Sequence, residues 1–158
     1  MSDDHALREH LRALLTEPQA HATLDDVLRG FPIERRNERV GELPYSAYEV
    51  LWHLRFTQRD LLNFVREKNY TEPNWPADYW PHTQAATAED WQAQVEAVQA
   101  DRAEVLKVLD QADLLAPVAP GKSQTVLREL LLAADHAAYH TGQLALLRRL
   151  LGGGDSAS

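Results

Sequence analysis

The sequence predicts an all-α fold, a four-helix bundle with a short additional helix at its N-terminus. Apolar residues recur at spacings of three and four along most of the chain, which is typical of amphipathic helices. Serine or threonine precedes several of these segments, as expected at helix N-termini. Proline and glycine clusters separate the segments from one another. The 158 residues are enough for one ordinary domain with its own core.

The first part of the chain predicts two short helices. The first is expected to end near Thr16, and its apolar stripe consists of Leu7, Leu11, Leu14 and Leu15. We expect Thr16 to cap the second helix, with Pro18 in its first turn, where a missing N–H group costs little. Gly30 and Pro32 then end this helix. Its apolar positions are Ala20, Leu24, Val27, Leu28 and Phe31.

A long helix is predicted to begin soon after Pro44. Ser46 and Glu49 have the spacing of a capping box, in which each side chain accepts a hydrogen bond from the other residue's backbone N–H group. His53 lies at the edge of the apolar face of this helix and is predicted to point into the bundle. The face itself consists of Val50, Leu51, Leu54, Thr57, Leu61, Phe64 and Val65.

Residues 69–86 contain too many prolines for a helix and too many aromatic residues for a disordered segment. We therefore predict an ordered loop over the bundle. Its aromatic residues Trp75, Tyr79 and Trp80 have two interpretations, a lid over a ligand site or packing that holds a long connection in place. The next helix is predicted from Thr87, with Asp90 as capping partner, to about Gln111. Its core positions are Trp91, Val95, Val98, Val105 and Leu109.

The last helix is expected to open at Ser123 or Thr125 and to run to Leu151, where three consecutive glycines end it. It is apolar on nearly all sides, as expected for a helix that is buried centrally or shared between subunits. This pattern favours a homodimer. We predict a single helical domain over residues 1–151 and a disordered tail over residues 152–158.

Composition excludes several classes of function. The chain has no cysteine, so neither disulfides nor thiolate ligands are available, and a metal ion must be held by His, Asp or Glu. A net charge of −8 argues against a nucleic-acid partner. No apolar run is long enough to cross a membrane, and no export signal is evident at the N-terminus. These features together predict a cytoplasmic protein.

Three histidines are candidate metal ligands. His136 and His140 are one helical turn apart, so both rings leave the same face of the last helix and can bind one ion. A third imidazole from a neighbouring helix would complete the set, and His53 can supply it only if the fold brings it there. Three neutral nitrogen ligands suit zinc or nickel and leave a coordination position open for water or substrate.

The residues around these histidines resemble the DinB/YfiT-like superfamily of metal-binding four-helix bundles. The resemblance covers nearly the whole chain and is strongest in residues 46–60, in the aromatic segment 75–81 and in residues 125–152. It implies that His53, His136 and His140 hold a divalent metal ion. As an alternative to a metal-dependent hydrolase, it also implies a transferase or isomerase in which the metal activates a low-molecular-weight thiol. One departure is Ala137, where similar sequences often carry asparagine.

The residues themselves leave the function open between two classes, a metal-dependent enzyme and a noncatalytic metal-binding or stress-related interaction bundle. The last helix lacks the glutamate of the HExxH motif, because Ala137 stands in its place. A general base would have to be Glu129, Glu49 or Asp60, each within two helical turns of a histidine. Each of these carboxylates could instead orient a ligand or face solvent. His21 is a further candidate to line the same cavity.

Overall fold

The computed structural model describes residues 3–83 and 85–153, and the regular secondary structure within them is helical, apart from an isolated antiparallel bridge between Pro117 and Thr125. The α-helices are α1 (Asp3–Thr16), α2 (Leu24–Arg29), α3 (Ala47–Arg66), α4 (Ala88–Gln111) and α5 (Val126–Leu150). Two 3-10 turns lie in the connections, at Ile33–Arg35 and Ala77–Tyr79. The predicted all-α bundle is confirmed.

The prediction for the start of the second helix is wrong. Helix α2 begins at Leu24 and is capped by Thr23, whose hydroxyl oxygen accepts the N–H group of Asp26 at 3.1 Å. Asp25 and Asp26 place negative charge in the first turn, where it is favourable. Thr16 belongs to the end of α1 instead, because its hydroxyl donates to the Arg12 carbonyl at 2.9 Å. Residues 17–23 are therefore a connection.

The starts of the long helices follow the predicted caps. Ser46 Oγ accepts the Glu49 N–H group at 3.3 Å, and Glu49 Oε2 accepts the Ser46 N–H group at 2.6 Å, so the capping box of α3 is complete. Thr87 and Asp90 form the same arrangement at the start of α4. Of the two residues predicted to open α5, Thr125 is the cap.

Helix α3 is the centre of the bundle, because it packs against both α4 and α5. One part of the core joins α2, α3 and α5 and includes Val50, Leu51, Leu54, Leu144 and Leu147. A second part, towards α1 and α4, includes Leu11, Leu62, Val105, Leu109 and Leu130. The direct packing of α3 on α5 brings residues of these two helices together in the interior.

The predicted apolar stripes are largely buried, with some exceptions. Leu14 of α1 is exposed, although its spacing assigns it to the apolar stripe. Helix α5 is buried along one side only, and Leu131, Tyr139, Leu146 and Leu150 are exposed on the other. Gly152 ends this helix with a backbone φ of +83°, which favours glycine. Residues 154–158 of the predicted disordered tail lie outside the described residues.

No helix within residues 3–83 and 85–153 combines the length and the apolar character that a membrane span requires.

Candidate metal centre

The packing of α3 on α5 brings His53, His136 and His140 together. The Nε2 atom of His136 lies 3.3 Å from that of His53 and 3.0 Å from that of His140. The candidate ligand atoms of the three residues all lie within 4.8 Å of one another. His53 and His140 are buried, and His136 is half-buried. The cluster thus faces the interior of the bundle from two adjacent helices.

The opposite ring nitrogens of two of these histidines are held by oxygen acceptors. His53 Nδ1 lies 2.8 Å from the carbonyl oxygen of Tyr79, and His140 Nδ1 lies 2.7 Å from Oε1 of Gln143. A carbonyl oxygen cannot donate, so each Nδ1 must carry the proton. In the neutral ring, Nε2 is then unprotonated. Both imidazoles therefore direct a lone pair into the cluster.

The Gln143 amide group also contacts two tyrosine hydroxyl groups. Its Nε2 group donates to the hydroxyl oxygens of Tyr45 at 3.0 Å and Tyr139 at 3.4 Å. The amide oxygen is the atom that faces His140 in this arrangement. Tyr45, Gln143 and His140 form a chain of hydrogen bonds that fixes one ring of the cluster.

Burial keeps the three imidazoles neutral. It lowers the pKa of His136 to about 3, with smaller contributions from His140 and His53. It also lowers the pKa of His140 to about 4, against the opposing effect of the hydrogen bond to Gln143. The pKa of His53 is lowered for the same reason, partly offset by the Tyr79 carbonyl. A neutral imidazole is the form that binds a metal ion.

Aromatic rings from the loop after α3 cover one side of the cluster. The Trp80 ring stacks on His53, with centroids 4.3 Å apart and planes 7° from parallel. The Tyr45 ring stacks on Trp80 in turn, at 6.1 Å. Trp75 is 69% exposed and lies beside the ring of Tyr79. Of the three aromatic residues proposed as a lid, Trp80 and Tyr79 contact His53 and Trp75 does not reach it.

The three candidate bases occupy different surroundings. Glu49 completes the cap of α3 and pairs with Arg39 at 2.9 Å. Glu129 is buried and accepts Nη1 of Arg128 at 2.8 Å. Asp60 accepts the hydroxyl groups of Tyr70 at 2.8 Å and Tyr79 at 2.7 Å. Among the residues that the structure describes, the group of ligand atoms consists of the histidines, without these carboxylates.

A cavity of about 430 Å³ lies between the end of α3, the start of α5 and the loops beside them. Asp60 and Glu129 both line it, together with Phe64, Tyr70 and Tyr79. Tyr79 connects the cavity to the cluster, because its side chain lines the cavity while its carbonyl accepts from His53. A cavity of this size accommodates a small organic molecule.

The remaining histidines lie elsewhere. His21 is exposed, with Nδ1 at 2.8 Å from the Ala22 carbonyl oxygen, and it lines grooves between α1 and α5 rather than this cavity. His5, His10 and His82 are exposed.

Two partners of the cluster were not predicted. Gln143 lies on the same strip of α5 as His136 and His140, so its spacing of three residues from His140 was a usable signal. The Tyr79 contact uses a backbone carbonyl, which has no signature in the side-chain pattern. Three neutral imidazoles, two of them with Nε2 unprotonated, are a donor set that suits a divalent transition metal, so the residues present fit such an ion.

Comparison with known proteins agrees with this architecture. The sequence model of the DinB superfamily matches residues 6–144. The fold is also similar to the crystal structure of a conserved protein from Enterococcus faecalis, with a TM-score of 0.58 and 20% identity over 95% of this chain and 97% of the other. No curated protein matches the sequence significantly. The bundle and the match over most of its length show that the chain belongs to the DinB superfamily.

Proposed function

We propose that the protein binds a divalent metal ion, zinc or nickel, through His53, His136 and His140, and that it is a metal-dependent enzyme acting on a small molecule. The reaction class that we infer is hydrolysis or transfer to a low-molecular-weight thiol. The observation that carries the proposal is the convergence of the three Nε2 atoms, with Nδ1 of His53 and of His140 each held by an oxygen acceptor.

Besides its ligands, a metal site requires hydrogen bonds that hold the ligand rings in place. Ligating histidines in metalloproteins donate their other N–H group to a carbonyl or carboxylate, which fixes the tautomer and the ring orientation. Here the Tyr79 carbonyl and the Gln143 amide have that role. Low pKa values keep the rings neutral, so protons do not compete with a metal ion near neutral pH.

The bound ion would supply positive charge that lowers the pKa of a thiol or water molecule and polarises a carbonyl group. Substrate binding and proton transfer would depend on residues of the protein itself. The cavity of about 430 Å³ would bind the organic part of the substrate. Glu129 and Asp60 line this cavity and are the candidates to hold or move a proton there. Asp60 also positions Tyr79, since it accepts the Tyr79 hydroxyl group.

The competing candidate is a metal-binding bundle without catalysis. Two observations favour the enzyme: the cavity has the size of a small-molecule site, and two of the candidate bases, Asp60 and Glu129, are among the residues that line it. A metal site that only stabilises the bundle has no need of either. Glu49 is the weakest of the three candidate bases, because its carboxylate caps α3 and pairs with Arg39.

The test of the metal site is elemental analysis of untagged protein together with single alanine variants. Wild-type protein should contain one divalent transition-metal ion per chain, and His53→Ala, His136→Ala or His140→Ala should each remove it. The exposed residue His10 provides the matched control, because His10→Ala leaves the cluster intact. Full metal occupancy in the His53 variant would refute the site. A screen of the loaded protein with thiols and small esters then tests catalysis.

A further inference from the structure

One side of α5 is exposed although it carries large apolar residues. Tyr139, Leu146 and Leu150 are 64%, 54% and 52% exposed, and they share this face with Leu131. Scattered apolar residues are ordinary on protein surfaces, but here they lie on one face of a single helix. The face is centred on Gly142, which is also exposed.

Gly142 is an unfavourable residue for its position. It lies in the interior of a helix of 25 residues, where glycine is less stable than alanine. A Cβ atom built on Gly142 meets no other atom within 4 Å, so nothing inside the chain excludes a side chain there. The fold of one chain does not require glycine at this position. Glycine does allow the backbone of another molecule to approach α5 closely there.

The residues around Gly142 are complementary to themselves under a two-fold axis. In an antiparallel pair of α5 helices centred on Gly142, a residue at a given distance before it meets the residue at the same distance after it in the other copy. Three of the four large exposed residues then have an alanine as their counterpart, and Leu131 does not. The pairs are Leu146 with Ala138 and Tyr139 with Ala145; the counterpart of Leu150 is Ala134, which is buried in its own chain.

Two charged residues on this face are also placed symmetrically about Gly142. Asp135 lies seven residues before Gly142 and Arg149 lies seven residues after it. Both residues are exposed. An antiparallel pair therefore brings Asp135 of each copy to Arg149 of the other, with opposite charges facing at both ends of the contact. Like charges would meet in a parallel pair, where Asp135 faces Asp135.

A groove on the same surface lies where the end of the second helix would pack. It has a volume of about 360 Å³ and is lined by Leu14, Leu131, Ala134 and Ala138, among others. Ala138 is half-buried and is the counterpart of Leu146 of the second copy, whereas Ala134 is buried. Leu14 lines this groove, so contact with the second copy would explain why this residue of the apolar stripe of α1 is exposed in a single chain.

We propose that two copies of this chain form a dimer through α5, with the helices antiparallel about a two-fold axis at Gly142. The same surface on both copies makes the contact, as in most symmetric dimers. The predicted homodimer thereby acquires a defined interface. None of the paired residues is a candidate ligand, and Tyr139 is linked to the metal centre through the hydrogen bond that it accepts from Gln143.

A charge-exchange experiment tests the pairing, with mass measured by light scattering and sedimentation equilibrium. Wild-type protein should have twice the 17.9 kDa mass of one chain. Asp135→Arg alone and Arg149→Asp alone should each weaken dimerisation more than about tenfold, because like charges then meet. The double variant restores opposite charges and should recover the dimer. Glu96→Arg on the exposed face of α4 is the matched control and should remain dimeric.

A second variant addresses the close approach at Gly142. The Gly142→Leu variant should remain helical, since leucine is a better helix former than glycine and the space is open. For the same reason, the single folded chain should have a higher melting temperature than it has with glycine. The substitution should nevertheless dissociate the dimer. A monomeric wild-type protein at high micromolar concentration would overturn the proposal, and so would single charge variants that dimerise as tightly as the wild type. Dimerisation unaffected by Gly142→Leu would also contradict it.

Discussion

The Oε1 atom of Gln143 lies 2.7 Å from Nδ1 of His140, one helical turn away on α5. Gln143 is itself held by the hydroxyl oxygens of Tyr45 and Tyr139, which accept its amide N–H groups. His140 therefore cannot rotate without breaking a chain of hydrogen bonds. The protonated Nδ1 leaves Nε2 unprotonated and directed at His136. The local sequence of one helix thus sets both the position and the tautomer of a candidate ligand.

This contact predicts the effect of changing Gln143. Gln143→Leu removes the acceptor of His140 Nδ1, and we expect the affinity for zinc to fall by about 10-fold to 100-fold. Gln143→Glu retains an acceptor at the same distance and should restore most of the affinity. Competition with a chromogenic chelator measures both. Gln92→Leu, on the exposed face of α4, is the control. Equal affinities in the wild type and the leucine variant would mean that Gln143 does not orient a ligand.

Much of the fold could be predicted because its determinants are local. The box of Ser46 and Glu49 and the glycines after Leu151 mark helix ends through contacts within a few residues. The start of α2 could not be predicted in the same way. Thr16 and Thr23 both precede apolar positions, and the choice depends on whether a hydroxyl bonds backward to Arg12 or forward to Asp26.

The same distinction between local and long-range determinants applies to the candidate site. The spacing of His136 and His140 is a local property of α5, so their shared face could be predicted. The proximity of His53 depends on α3 packing against α5, and the sequence indicated it only through the family resemblance. The Tyr79 carbonyl comes from a loop after α3, and a backbone acceptor leaves no residue type to recognise.

Glu49 should prove structural rather than catalytic. Glu49→Ala removes the acceptor of the Ser46 N–H group and the partner of Arg39, so we expect a loss of about 1–2 kcal/mol in the free energy of unfolding. Urea denaturation measures this loss. Zinc affinity should be unchanged, because Glu49 contacts the cap and not the cluster. A variant with normal stability and impaired metal binding would reverse this assignment.

The bundle should remain folded without metal. Its core of buried leucines and valines on α3, α4 and α5 does not include the cluster, unlike that of a zinc finger. A metal ion at a concentration of 100 times its dissociation constant should add about 2.7 kcal/mol of stability. Chelation should therefore lower the melting temperature while helical circular dichroism at room temperature persists. Loss of the helical signal on chelation would show that the core depends on the metal.

Metal-free protein should lose stability in acid through its histidines. The pKa of His136 is lowered to about 3 in the folded state by burial, whereas an exposed imidazole titrates near pH ~6.5. The unfolded chain therefore binds the proton more readily below pH ~6.5. The contribution of the neutral ring is fully present above that pH, and it is lost progressively as the pH falls towards the folded pKa.

Urea midpoints measured between neutral and acidic pH test this linkage. The stability of metal-free wild-type protein should fall more steeply over this range than that of His136→Ala, which lacks the buried ring. His10→Ala should follow the wild type, since His10 is exposed. Identical pH profiles for the wild type and the His136 variant would show that burial does not perturb this imidazole.

Cobalt substitution distinguishes an enzyme site from a closed metal site. Three neutral imidazoles leave the charge of a divalent ion uncompensated, so a small thiol or carboxylate should bind the loaded protein and change its visible spectrum. The change should be absent in His136→Ala. Asp60→Asn and Glu129→Gln should leave the cobalt spectrum intact, because neither carboxylate belongs to the cluster. Both variants should weaken turnover of any substrate bound in the cavity of about 430 Å³ that these two residues line. A spectrum that no thiol or carboxylate alters would favour the noncatalytic candidate, and a spectrum altered by Glu129→Gln itself would make Glu129 part of the metal site.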